Sequence, residues 1–139
     1  LQEFRQHYSF GYQLIHHLQL SSSIIIEYYL QIFLRWKSKT YDKLLQLLMI
    51  IIYLLLEWIR TSNEEVNNNQ YTEDNWYCIT MIRQGKLDKW LEILRSQLLS
   101  IQYRQIKESF SPFIEQLMTE MNQIQKYKET LTIYTKITK

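Results

Sequence analysis

The run LLQLLMIIIYLLLEWI, Leu44 to Ile59, is so apolar that only two settings suit it: a span across a membrane, or a helix enclosed by other helices. Polar neighbours decide between them. At 100° per residue, Asp42, Gln46, Tyr53, Glu57 and Arg60 fall within one sector of about 60°, and apolar residues cover the rest of the wheel. A helix facing lipid on every side gains nothing from aligning its polar groups, and a span ordinarily needs about 18 apolar residues without interruption. Gln46 and Glu57 interrupt this run. A core helix with one wet edge does gain from the alignment, because each buried Leu or Ile contributes on the order of 1.5–3 kcal/mol. The pattern predicts a soluble bundle with a central, largely buried third helix; a membrane is the least expected surrounding.

Two glycines and one proline in 139 residues leave too few turn formers for a sandwich or barrel. The fold class is therefore all-α, a helical bundle of five to six helices, and the length suits a single domain over 1–139. A first helix is expected from Gln2 to Leu20, where Phe4, Tyr8, Leu14, Ile15 and Leu18 keep helical spacing and Gly11 falls on their stripe. Hydroxyls of the SSS at 21–23 can cap a second, IIIEYYLQIFLRW, whose Glu27, Gln31 and Arg35 form one narrow polar edge. Thr40 caps the third helix. Residues 61–75, with four acids, five Asn and no base, read as an acidic polar loop between N-terminal and C-terminal helices.

Thr72 followed by Glu73 and Asp74 suits the start of a fourth helix, since acids in the first turn complement the dipole, and Gly85 suits its end. A fifth helix, about Lys86 to Ser109, carries the stripe Leu87, Trp90, Leu91, Leu94, Leu98 and Ile101. Ser111 and Pro112 open a sixth, with Phe113, Leu117, Met121, Ile124 and Leu131 on its apolar face. The tail TLTIYTKITK alternates as a strand does, but it has no partner strand and reads as a helix end. The stretch WYCITMIRQGKLDKWLEILRSQL resembles one helical hairpin of the tetratricopeptide type, with Gly85 at its turn and Trp90 where that pattern has a small residue. One such unit is not an array, so no peptide-binding role is carried over.

Ala is absent and Val occurs once, while Ile and Leu number 18 and 20, the mark of coding DNA that avoids GC-rich codons. Gln at 14 against Asn at 6 fits a code in which two stop codons read as Gln, a hypothesis that ordinary Gln codons at every position would sink.

The chemistry is mostly exclusion. Cys78 is the single cysteine, which rules out an internal disulfide framework or a zinc knuckle and points to a reducing intracellular compartment and a buried structural thiol. The N-terminal stretch lacks the continuous apolar core of a signal peptide. Two isolated glycines cannot form a phosphate-cradling loop. All three His, at 7, 16 and 17, lack an i, i+4 His partner, and Glu3 with His7 reads as a surface ion pair. No metal, no cofactor and no enzymatic activity are expected, and the acids at 64, 65, 73 and 74 read as solvated charge.

Two surfaces carry the functional expectation. Lys86, Lys89, Ser96, Ser100, Tyr103, Arg104 and Lys107 share one acid-free flank of the fifth helix, and hydroxyls interleaved with cations suit phosphate contact. RWKSKTYDK adds Arg35, Lys37, Lys39 and Lys43, with Trp36 and Tyr41 able to stack on bases. The second signal is an apolar excess on helices two and three, with Tyr28, Trp36 and Trp58 as anchors for a partner. A non-catalytic protein-interaction or assembly subunit is the first expectation, its partner being another protein or a second copy. A small RNA- or DNA-binding subunit is the alternative, and a membrane-associated helical subunit the next.

Overall fold

The computed structural model describes residues 22–35, 41–104 and 111–137. They form five helices, α1 Ser22–Arg35, α2 Tyr41–Asn67, α3 Glu73–Arg83, α4 Lys86–Arg104 and α5 Ser111–Ile137, and no strand among the described residues. The expected helix over 2–20 lies outside these residues, as does the expected cap Thr40, so the expected third helix is α2.

α2 is the centre of the bundle and packs against all four other helices. Between Leu45 and Arg60 only Gln46, Tyr53, Leu56, Glu57 and Arg60 are half-buried, and every other residue is buried. The wet edge is thus the sector that the polar residues mark in the sequence. Across it Gln116 of α5 donates from Nε2 to the Tyr53 hydroxyl at 3.0 Å. Leu48, Ile51, Ile52, Leu55 and Ile59 are fully enclosed. By length and composition, Leu45–Asn67 also has the mean hydropathy, 1.5, of a membrane span, and 67% of its most apolar window is buried against the other helices. Alkaline carbonate treatment of membranes is expected to release the protein to the supernatant; retention in the pellet would instead make α2 a span.

The expected loop at 61–75 is corrected by the structure, because α2 continues through Asn67 and only residues 68–72 join it to α3. Three features carry the helix on. Ser62 and Val66 extend the buried stripe of Leu55 and Ile59, and Asn63 is buried as well. Arg60 reaches back to Glu57 at 2.5 Å and forward to Glu64 at 2.8 Å, so one cation ties two turns, and the Glu57 hydrogen bond foremost raises its pKa. The stop comes at Asn69, whose φ of 57° lies in the left-handed region that Asn tolerates. Its N–H reaches the Val66 carbonyl at 3.0 Å while the Gln70 N–H reaches Glu65 at 2.8 Å, the two bonds of a Schellman ending.

α3 begins where the sequence places it. Thr72 is its N-cap, its hydroxyl accepting from the Asn75 N–H, and the Asn75 amide accepts from the Thr72 N–H in return. Gly85, at φ +74°, turns the chain from α3 into α4, a conformation that costs an L side chain strain. On α4 the expected stripe is buried except for Trp90, which is half-buried. α5 buries Ile114, Leu117, Met121, Ile124 and Leu131, so Ile114 joins the expected face. Its C-terminal end stays helical through Ile137 despite the alternating pattern. Thr130 and Thr132 each donate a hydroxyl to the carbonyl four residues back, at 3.1 and 2.8 Å, which reconciles these β-branched residues with a helix.

Candidate interaction surfaces

Among the described helices α1 touches only α2 and α3, and none of them covers its outer face. Ile25, Ile26, Leu30 and Phe33 point inward, whereas Ile24, Tyr28 and Leu34 are exposed beside the polar edge of Glu27, Gln31 and Arg35. Tyr28 is 61% exposed and meets the half-buried Tyr29 ring edge-on at 5.8 Å. Burial, with Tyr28 adding to it, pushes the Tyr29 phenol above its ordinary pKa.

Trp58, expected as a second anchor, is only 3% exposed and belongs to the core. Its place on the wheel explains this, for it lies about 100° beyond the nearer edge of the wet sector of α2. Its indole N–H has no hydrogen-bond partner among the described residues, so the ring is held by packing. Trp36, Lys37 and Lys39 lie outside the described residues.

A second open surface sits at the α2–α3 corner. Tyr71 precedes the N-cap and Trp76 is four residues past it, the spacing at which two apolar residues brace a helix entry, and their rings meet edge-on at 6.5 Å. Both nevertheless remain open to solvent, at 51% and 43%, and Tyr77 beside them is 45% exposed. Asn75 beneath them is wholly enclosed and donates from Nδ2 to the Gln70 carbonyl at 3.0 Å. The corner is thereby tied from the Schellman ending of α2 to the first turn of α3.

On α4, Lys86, Lys89, Ser96, Ser100 and Tyr103 are all exposed, on the flank the sequence marks as basic. Arg104 ends that helix, while its side chain and Lys107 lie outside the described residues. Away from that flank Asp88 pairs with Lys128 of α5. A cleft of about 510 Å³ between α4 and α5, bordered by Asp88, Glu92, Arg95, Ser96 and Leu99, opens to solvent.

No family model, curated protein or solved structure matches the chain.

Cys78 is fully buried on α3. Burial, first of all, pushes its thiol from 9.0 up to about 12, with a hydrogen bond from Ser62 opposing and the charge of Asp74 adding. Between pH 9 and about pH 12 the unfolded chain therefore releases a proton that the folded chain keeps, and stability falls as pH rises through that window. Cys78→Ala is expected to lose less stability than the native chain over the same range, measured by urea unfolding at several pH values. Parallel curves for the two proteins would show that the thiol is not held protonated by burial.

Tyr71 falls in the stretch 61–75 that reads as a loop, while Trp76 and Tyr77 open the tetratricopeptide-like hairpin, a resemblance that does not say which of its faces is open. A signal for them existed. On an α3 begun at Glu73, Asn75, Cys78, Ile79 and Ile82 share one face, which leaves Trp76 and Tyr77 on the other.

Proposed function

We propose that this chain is a non-catalytic assembly subunit that docks on a protein partner. The supporting observation is the grouping of exposed apolar and aromatic side chains on two ordered surfaces, Ile24, Tyr28 and Leu34 on α1 and Tyr71, Trp76 and Tyr77 at the corner. Tyr and Trp are the side chains most enriched where partners are gripped, because they add contact area at low entropic cost. A bundle that encloses Leu48, Ile51 and Leu55 completely yet leaves three aromatic rings open at one corner fits a surface completed by another molecule. Affinity purification from the native source, with and without nuclease, tests this. Partners that persist after nuclease are expected, and a monomer without partners would overturn the reading.

A second reading is favoured by one observation, the exposure of Lys86, Lys89, Ser96, Ser100 and Tyr103 on a single flank of α4. Cations and hydroxyls so placed suit a phosphate backbone. On this reading the double substitution Lys86→Ala with Lys89→Ala abolishes retention on immobilised RNA at moderate salt. Unchanged retention, or none by the native chain, removes it.

A further inference from the structure

We infer that the α2–α3 corner receives a basic segment of the protein partner, with Lys or Arg side chains laid against the open faces of Tyr71, Trp76 and Tyr77. This rests on the assembly reading and adds the chemistry of what is bound.

Three observations carry it. The rings are held in place before anything binds: the capping box of Thr72 and Asn75, the Asn75 bond to the Gln70 carbonyl and the Tyr71–Trp76 contact fix the backbone and two of the three rings. Bracing the entry to α3 explains why Tyr71 and Trp76 touch each other. It does not explain why about half of each ring, and of Tyr77, faces solvent.

Charge selects the occupant. From Thr61 to Ile82 the chain carries Glu64, Glu65, Glu73 and Asp74 and no Lys or Arg. Arg60, just before this stretch, is shared between Glu57 and Glu64, and Arg83 closes the far end of α3, about 15 Å along the axis from Glu73. Aromatic faces on a stretch whose charged side chains, from Thr61 to Ile82, are all carboxylates attract a cation twice, through the ring quadrupole and through the surrounding negative charge. The same carboxylates repel phosphate, so rings that alone suit stacked bases do not suit a nucleic acid here. Lys and Arg also bring apolar stems that cover ring surface while the charged head reaches a carboxylate.

The test places a photo-crosslinking benzoylphenylalanine at Tyr77 in the full-length chain, in its native source, and identifies the crosslinked molecule with and without nuclease. A protein segment with two or more Lys or Arg is expected. That segment, made as a synthetic peptide, should bind the native chain about tenfold or more tightly than it binds Trp76→Ala. Binding should weaken with added salt and with Glu73→Gln, since these contacts lie at the surface. Both replaced residues are exposed, and unchanged thermal unfolding of each variant checks that the fold is kept. A crosslinked segment without cations, a crosslink to nucleic acid, no crosslink from an intact complex, or equal peptide affinity for Trp76→Ala overturns the inference. A complex that survives Trp76→Ala but dissociates with Tyr28→Ala removes the corner as the docking site and leaves the assembly reading standing. A chain without partners removes both.

Discussion

Leu55→Ala is expected to destabilise the chain by about 3 kcal/mol and to lower its thermal midpoint by roughly 10 °C. Leu55 is fully enclosed near the middle of α2, the helix that touches every other described one, so the methyl groups removed leave a void inside the core. Closure is incomplete in such settings, and a cavity cost adds to the lost transfer energy. Leu34→Ala, on the open face of α1, deletes the same atoms from a side chain that is half exposed and should change stability by no more than about 0.5 kcal/mol. Thermal unfolding of the two variants by circular dichroism makes the comparison. Equal and small losses would mean that α2 is not the core of the fold, as would be so if lipid rather than protein surrounded it.

The phase of α2 was legible because its polar residues are few and the helix is long. Gln46, Tyr53, Glu57 and Arg60 alone determine which side is wet, and the structure leaves that side half-buried. Its end was not legible from composition, since a stretch rich in Asn and acids resembles a loop whether or not it is one. Spacing held the missing information. Leu55, Ile59, Ser62 and Val66 keep one helical stripe, and Arg60 with Glu64 adds an i, i+4 pair. Local chemistry placed the start of α3 and its stop correctly, because Thr72 acts through its own hydroxyl and Gly85 through its own backbone, and neither needs a distant partner.

Candidate surfaces were harder to read for the same physical reason. Residue type alone offers Trp58 as an anchor, whereas its position well outside the wet sector places it inside. Tyr28 is open because no described helix covers the outer face of α1, a property of tertiary packing that the α1 sequence does not encode. α3 is the extreme case. Its eleven residues carry apolar groups on both sides, Cys78, Ile79, Met81 and Ile82 against Trp76 and Tyr77, so the pattern marks the inner side only weakly and docking onto α2 and α5 fixes it. Asn75 goes in with that side, wholly enclosed, while its amide bonds the Thr72 N–H and the Gln70 carbonyl of the helix entry.

Asn75→Ala should therefore cost about 2–3 kcal/mol, more than the roughly 1 kcal/mol expected for an ordinary helix cap. Removing the wholly enclosed amide breaks two part-buried hydrogen bonds, to the Thr72 N–H and the Gln70 carbonyl, and leaves a void where the side chain packed, so a packing loss adds to the loss of the cap. Asn75→Asp separates hydrogen bonding from shape. A neutral carboxyl accepts from the Thr72 N–H and donates to the Gln70 carbonyl as the amide does, whereas a carboxylate keeps the first bond, loses the second and carries a buried charge. Burial raises the pKa of that carboxyl in the folded state above its unfolded value of about 3.9, so the stabilising neutral form is fully present below that pH and is lost as pH rises. Asn75→Asp should accordingly match the native chain most closely near pH 4 and fall below Asn75→Ala at pH 7, in urea unfolding at the two pH values. Trp76 fluorescence, read against a Trp76→Phe control, should shift toward that of a fully solvated indole in the Ala variant, since the amide holds the helix entry in which Trp76 rests against Tyr71. A fully stable Asn75→Ala chain with unchanged fluorescence would mean that the corner rings are positioned by something other than this buried amide.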